Sequence, residues 1–154
     1  HVVAHFDSEA MVRMLLNEGV DPAASDASGV TALSRAAGRG NMAIVELLLE
    51  RGVSPGEADS TGTTALHQAA CHGHADLFRL LLERGADPEA TRDDGTRPLD
   101  AAIEASTAHH HGPSRRDGAV EIAERLVRAG VSVDGVTMPT GREDLDDILA
   151  AAMK

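Results

Sequence analysis

The sequence predicts an all-α solenoid of stacked helix-turn-helix units, and two spacings predict it. Gly29, Gly62 and Gly95 stand 33 residues apart, each followed four residues on by a leucine: Leu33, Leu66 and Leu99. Gly19, Gly52 and Gly85 keep the same spacing, and each closes an apolar helical run. A fixed period of this length marks stacked repeats, because one such unit cannot bury its apolar stripe alone and its neighbours supply the core.

Residues 1–25 read as a partial first unit. Counting back 33 residues from His67 reaches Ser34, and a further 33 reaches His1. His1 to Phe6 is therefore expected to be part of an inner helix, with Met11 to Leu16 as its outer partner and a clipped start. Residues 26–58 and 59–91 read as full units. Thr31 and Thr64 stand where an N-cap hydroxyl accepts the orphan N–H groups of a first helical turn. The pairs Ala36-Ala37 and Ala69-Ala70, with Ala101-Ala102 beyond them, let successive inner helices lie close together. The outer helices end at Gly52 and Gly85, which suit the left-handed conformation of a helix terminus, and Pro55 and Pro88 prevent continuation.

Residues 92–137 form a unit of unusual length. Arg97 replaces the capping threonine, while Pro98 suits the first helical position. Gly85 to Gly130 spans 45 residues instead of 33, so twelve are inserted, near 106–117. The insertion is expected to extend the inner helix and then loop out. Residues 138–154 read as a C-terminal capping helix with acidic residues in its first turn, which complement the helix dipole. Leu145, Ile148, Leu149 and Ala152 are expected to point inward.

In register, Gly29 to Gly40 reads G-V-T-A-L-S-R-A-A-G-R-G and Gly62 to Gly73 reads G-T-T-A-L-H-Q-A-A-C-H-G, while Gly95 opens G-T-R-P-L-D-A-A. Ile44 to Gly52 is I-V-E-L-L-L-E-R-G and Leu77 to Gly85 is L-F-R-L-L-L-E-R-G. These words resemble the ankyrin repeat over nearly the whole chain. The resemblance implies units joined by β-turn hairpin loops, a noncatalytic protein-interaction module, and a concave groove built from turn tips and the exposed sides of inner helices. Carried onto this chain, the groove candidates are Ser28, Val30, Thr61, Thr63, Asp94 and Thr96 at the tips, flanked by Ala27, Ser60 and Asp93. On the inner helices they are Arg35, Arg39, Gln68, Cys71, His72 and Glu104, beside Ala105. The chain has no Trp or Tyr, so contacts are expected to be polar and charged, with Arg39 as an anchor. Arg35 and Arg39 make one end of the row basic, and Asp93, Asp94, Asp100 and Glu104 make the other acidic. Such a gradient would orient a complementary partner.

No catalytic residue, metal or cofactor is expected. His67, Cys71, His72 and His74 are the tightest cluster of potential metal ligands, but they share one helix and its exit and lack the paired spacing of a closed zinc site. His109, His110 and His111 would capture a transition metal only nonspecifically. His67 and Asp100 occupy equivalent positions and could pair as acid and base, although hydrogen bonds to local turn backbone account for both. No phosphate loop or G-x-S-x-G word is present. The alternative function is an enzyme or small-molecule binder with His67, His72, Asp100 and Glu104 on the groove and the insertion as a lid.

The formal charge of -11 over 154 residues argues against nucleic acid or an anionic membrane as partner. The single Cys71 rules out an internal disulfide and fits a reducing compartment. No apolar run is long enough for a membrane span, and no signal peptide is visible. One lysine against thirteen arginines, in a chain rich in Ala, Gly and Asp, suggests a high-GC bacterial source. The expectation is a monomeric cytoplasmic array that binds another protein.

Overall fold

The computed structural model describes residues 8–108, 112–136, 138 and 140–154. The inner helix expected at His1 to Phe6 lies outside them, as do His109 to His111. Among the described residues the chain forms eight helices: α1 (Glu9–Asn17), α2 (Ala32–Arg39), α3 (Met42–Glu50), α4 (Ala65–His72), α5 (Ala75–Glu83), α6 (Pro98–Thr107), α7 (Pro113–Arg128) and α8 (Glu143–Ala152). The inner helices α2, α4 and α6 pack in a row, and α3, α5 and α7 back them. The paired alanines make this row possible: Ala37, Ala69, Ala70 and Ala102 are all fully buried. Leu33, Leu66 and Leu99, one per period, are buried at the same depth, and one continuous core runs from Val12 to Leu149. Phe78 fills an aliphatic position of α5 and is also fully enclosed.

The helix starts follow the capping logic with one substitution of roles. Thr31 Oγ1 accepts the N–H of Ser34 at 3.1 Å, and Asn41 Oδ1 accepts that of Ile44 at 3.3 Å. At α6, where Arg97 cannot accept, the carboxylate of Asp100 reaches back instead. It takes the Arg97 N–H and its Nε, both at 3.0 Å. The same guanidinium donates to the carbonyls of Ser132 and Asp134, so the residue that breaks the threonine pattern ties α6 to the segment after α7. The α8 cap buries Leu145 and Leu149, leaves Ile148 half-buried, and exposes Ala152, contrary to expectation, because the last turn of α8 runs past the core.

Between units the chain makes tight hairpins, with isolated antiparallel bridges Ser25 to Thr31 and Ala58 to Thr64. Asp26 Oδ1 accepts the N–H groups of Ser28 and Val30, and Asp59 Oδ1 accepts those of Thr61 and Thr63. Arg92 takes this place in the next hairpin, and Asp94 accepts the Thr96 N–H in its stead. Successive tips are laced together: Ser60 N–H donates to Ser28 O at 3.1 Å and Asp93 N–H to Thr61 O at 2.9 Å. Gly29 and Gly62 sit at this seam with φ of +76° and +78°, and an added Cβ would stand 2.8 Å from Ser60 N and 2.9 Å from Arg92 Cα. Gly29 and Gly62 are thus required by conformation and by the approach of the next unit, whereas at Gly95 only the positive φ of +83° favours glycine.

The insertion extends the inner helix as expected, with α6 running on to Thr107, but its last five residues, expected to loop out, form the opening turns of α7, which begins at Pro113. Gly112-Pro113 is a good helix start, since proline at the first position lacks the N–H that would be orphaned there. The added opening of α7 lies back across the turn between α4 and α5.

Ser34 marks a weak point in the frame. It is 2 % exposed, and its hydroxyl has no hydrogen-bond partner. A buried unsatisfied hydroxyl costs free energy and serine is a poorer helix former than alanine, so Ser34→Ala is expected to stabilise the array by about 1 kcal/mol. Urea denaturation checks this, and a loss of stability would show that the hydroxyl is engaged.

Candidate functional site

The hairpin tips and inner helices hold most of the expected contact residues at or near the surface. Ser28, Thr61, Asp94, Arg39, Cys71 and Glu104 are exposed, and Val30, Arg35, Gln68, His72 and Thr96 are half-buried. Thr63 is the exception. It is buried, and its hydroxyl is taken up by that of Thr61 at 2.9 Å. It is not available to a partner.

Electrostatics modify the expected gradient. Arg35 is not a free cation: Nη2 sits 3.0 Å from Asp26 Oδ2, so the basic end is partly neutralised within its own hairpin. The tip carboxylates are tuned by the loops they organise. The N–H of Ser28, then of Val30, and the nearby Arg35 hold Asp26 below the ordinary carboxylate range. Burial pushes Asp59 up, but hydrogen bonds from Thr61 and Thr63 outweigh it and leave the carboxyl lowered. Asp94 is lowered chiefly by hydrogen bonds from Thr96. Each tip therefore carries a carboxylate that stays charged while it fixes the backbone.

The histidines are occupied structurally. His67 Nε2 lies 3.1 Å from Thr96 O, and a carbonyl only accepts, so Nε2 carries the proton. Nδ1 then accepts from the Thr64 N–H at 3.3 Å and from its hydroxyl at 2.9 Å. One ring thus caps α4 and ties it to the following hairpin. His74 Nε2 donates to Gly38 O of the preceding unit at 3.3 Å, and His72 Nδ1 donates to Gln68 O at 2.9 Å. Burial pushes His67 and His74 below the ordinary imidazole value, which for His67 agrees with the neutral ring that its accepting Nδ1 requires. Asp100 is committed to Arg97. The conceivable acid-base pair of His67 and Asp100 is accordingly not formed.

The opening of α7 supplies a feature that sequence reasoning missed. Arg115 donates through Nε at 2.9 Å and Nη2 at 2.6 Å to the carbonyl of Cys71, at the end of α4. Nη2 also lies 3.7 Å from Cys71 Sγ. A cationic side chain at a helix C-terminus satisfies an orphan carbonyl and complements the dipole. Beside it, His72 and His74 stack with ring centroids 6.0 Å apart. A cavity of about 350 Å³ lies between these rings, Gly73, Ser114 and Arg115. Of His67, His72, Asp100 and Glu104, only His72 lines it, so among the described residues this cavity does not gather the constellation that a small-molecule site would need. The available signal for this contact was Gly112-Pro113, which starts a helix early enough to reach α4.

Among the described residues, no group of three or more His, Cys, Asp and Glu is placed to hold a metal ion. No described helix is long and apolar enough to cross a membrane. A family model described as ankyrin repeats, in three copies, matches residues 1–92 and 59–136. Comparison with curated proteins finds no match.

Proposed function

The chain belongs to the ankyrin repeat family, whose members generally mediate protein–protein interaction, and from that premise we propose that it is a noncatalytic module binding another polypeptide in its concave groove. The observation that carries this reading is the row of differing side chains at equivalent positions of a laced frame: the exposed Ser28, Thr61 and Asp94 on the tips, and the exposed Arg39 and half-buried His72 on the inner helices. Backbone seams hold the tips at a fixed spacing, so side-chain differences between copies carry the specificity. The candidates are those expected from the sequence, less the buried Thr63. The reading includes a division into units at 26–58, 59–91 and 92–137 with a cap at 138–154. It further takes the array to be monomeric and to act in a bacterial cytoplasm, with neither nucleic acid nor membrane as partner, in keeping with a charge of -11.

The test compares the array with a variant carrying Arg39→Ala, Cys71→Ala and Glu104→Ala, all at exposed positions, in affinity capture from lysate of the source organism. A thermal melt within about 2 °C of the parent confirms that the fold is kept. The expected result is a polypeptide retained by the parent and lost by the variant. Capture of the same set by both proteins would sink the groove as the binding surface.

A further inference from the structure

A second cavity, of about 340 Å³, lies under the opening of α7. Ser106 and Thr107 at the end of α6 line it, with Arg116 and Asp117 of α7 and the Thr140–Arg142 approach to α8. Arg116 is half-buried, its Nε is shielded from solvent, and the guanidinium has no hydrogen-bond or ion-pair partner. Every other half-buried arginine among the described residues faces an anion or a carbonyl. Arg35 has Asp26 and Arg97 has Asp100, while Arg115 has the Cys71 carbonyl. The chain has 25 acidic side chains against 14 basic ones, yet this guanidinium is left without one. An arginine taken partly out of water is ordinarily paired, because the unpaired charge costs free energy.

The surroundings supply further donors. Thr140 Oγ1 accepts the Arg142 N–H at 3.3 Å, which leaves its hydroxyl proton free to donate. Arg142 is pinned by Asp144 at 2.8 Å and more distantly by Asp117 at 3.9 Å, so it holds its place in the wall and offsets both carboxylates, while a third, Asp146, is taken up by the Thr140 N–H at 2.7 Å. The planar fork of Arg116 matches the geometry of two oxygens on one centre. We propose that this cavity is an oxyanion-binding site in which a carboxylate or phosphate group pairs with Arg116. The site is separate from the groove and does not depend on it.

The test is amide NMR of the labelled full chain titrated with sodium phosphate and, separately, with N-acetylglutamate, each against sodium chloride at matched ionic strength. The expected result is saturating shifts of the Thr107, Thr140 and Gly141 amides, weakened roughly tenfold or more by Arg116→Gln. Because Arg116 has no partner, Arg116→Gln is also expected to melt no lower than the parent without anion. A response to phosphate alone assigns a phosphate group, to N-acetylglutamate alone an acidic side chain, and to both the shared oxyanion chemistry. The proposal is overturned by no saturable shift with either probe, or by equal shifts in parent and variant. A lower melting temperature of the anion-free variant also overturns it, since Arg116 would then be engaged already.

Discussion

Replacing Gly118 by alanine is expected to destabilise the array by about 1–3 kcal/mol, the range for forcing atoms into closed packing. The sign is the informative part, because the same change in an ordinary helix gains roughly 0.5–1 kcal/mol. A Cβ on Gly118 would stand 2.0 Å from the carbonyl oxygen of Gly73, and one on Gly73 would stand 2.1 Å from that of Arg115. Both obstacles are backbone, so no change of rotamer relieves them. The opening of α7 would have to lift, taking Arg115 off the Cys71 carbonyl. Gly73→Ala carries an added penalty, since its φ of +69° is left-handed and costs an L-residue on the order of 1 kcal/mol. For a chain of this size each kcal/mol lowers Tm by roughly 2–4 °C. Hydrogen exchange localises the effect: amides of residues 114–118 should exchange faster in Gly118→Ala while those of α2 are unchanged. A variant as stable as the parent would mean that α7 does not cross at Gly73.

Replacing His67 by alanine is expected to cost about 2–4 kcal/mol, because it removes the cap of α4 and the tie to Thr96 and leaves buried groups without partners. The pH dependence gives a second readout. Burial lowers His67 and His74 below the ordinary 6.5, so the unfolded chain binds protons that the folded one refuses. Stability is therefore level above about pH 7 and falls as pH drops below 6.5 toward the lower folded values. The aspartates act in a separate window. Asp26, Asp59, Asp94 and Asp144 lie below the ordinary 3.8 when folded, so their contribution is present above that value and is lost as pH falls through the folded ones. Melting temperature against pH should thus show one decline below 6.5 and another below about 4. His67→Ala should flatten the first and leave the second. Equal slopes between pH 6.5 and 5 in parent and variant would remove His67 as a source of the first.

The frame was legible because it is written in local signals that repeat. Leu33, Leu66 and Leu99 recur at the period of the core, Thr31 sits one residue before its helix, and Gly29 and Gly62 stand where the chain must turn and the next unit approaches. Each is set by a residue's immediate neighbours and recurs, so the sequence alone determined the solenoid, its helix order and the positions from which side chains could face a groove. The fine structure of the tips was less legible. Thr63 and Thr61 are both polar turn residues whose hydroxyls meet, and only the packing of the stack buries the one and leaves the other exposed. Arg35 read as a basic contact until its hairpin brought Asp26 to its fork. Arg97 looked like a lost cap, but Asp100 reached back to perform that role. What only the tertiary structure decided is the insertion: its helix crosses Gly73 at Gly118, ties Arg115 to Cys71 and leaves Arg116 unpaired above a cavity. Those contacts join residues more than forty positions apart that no repeat period relates, and whether two backbones can touch depends on where packing of the whole stack places them.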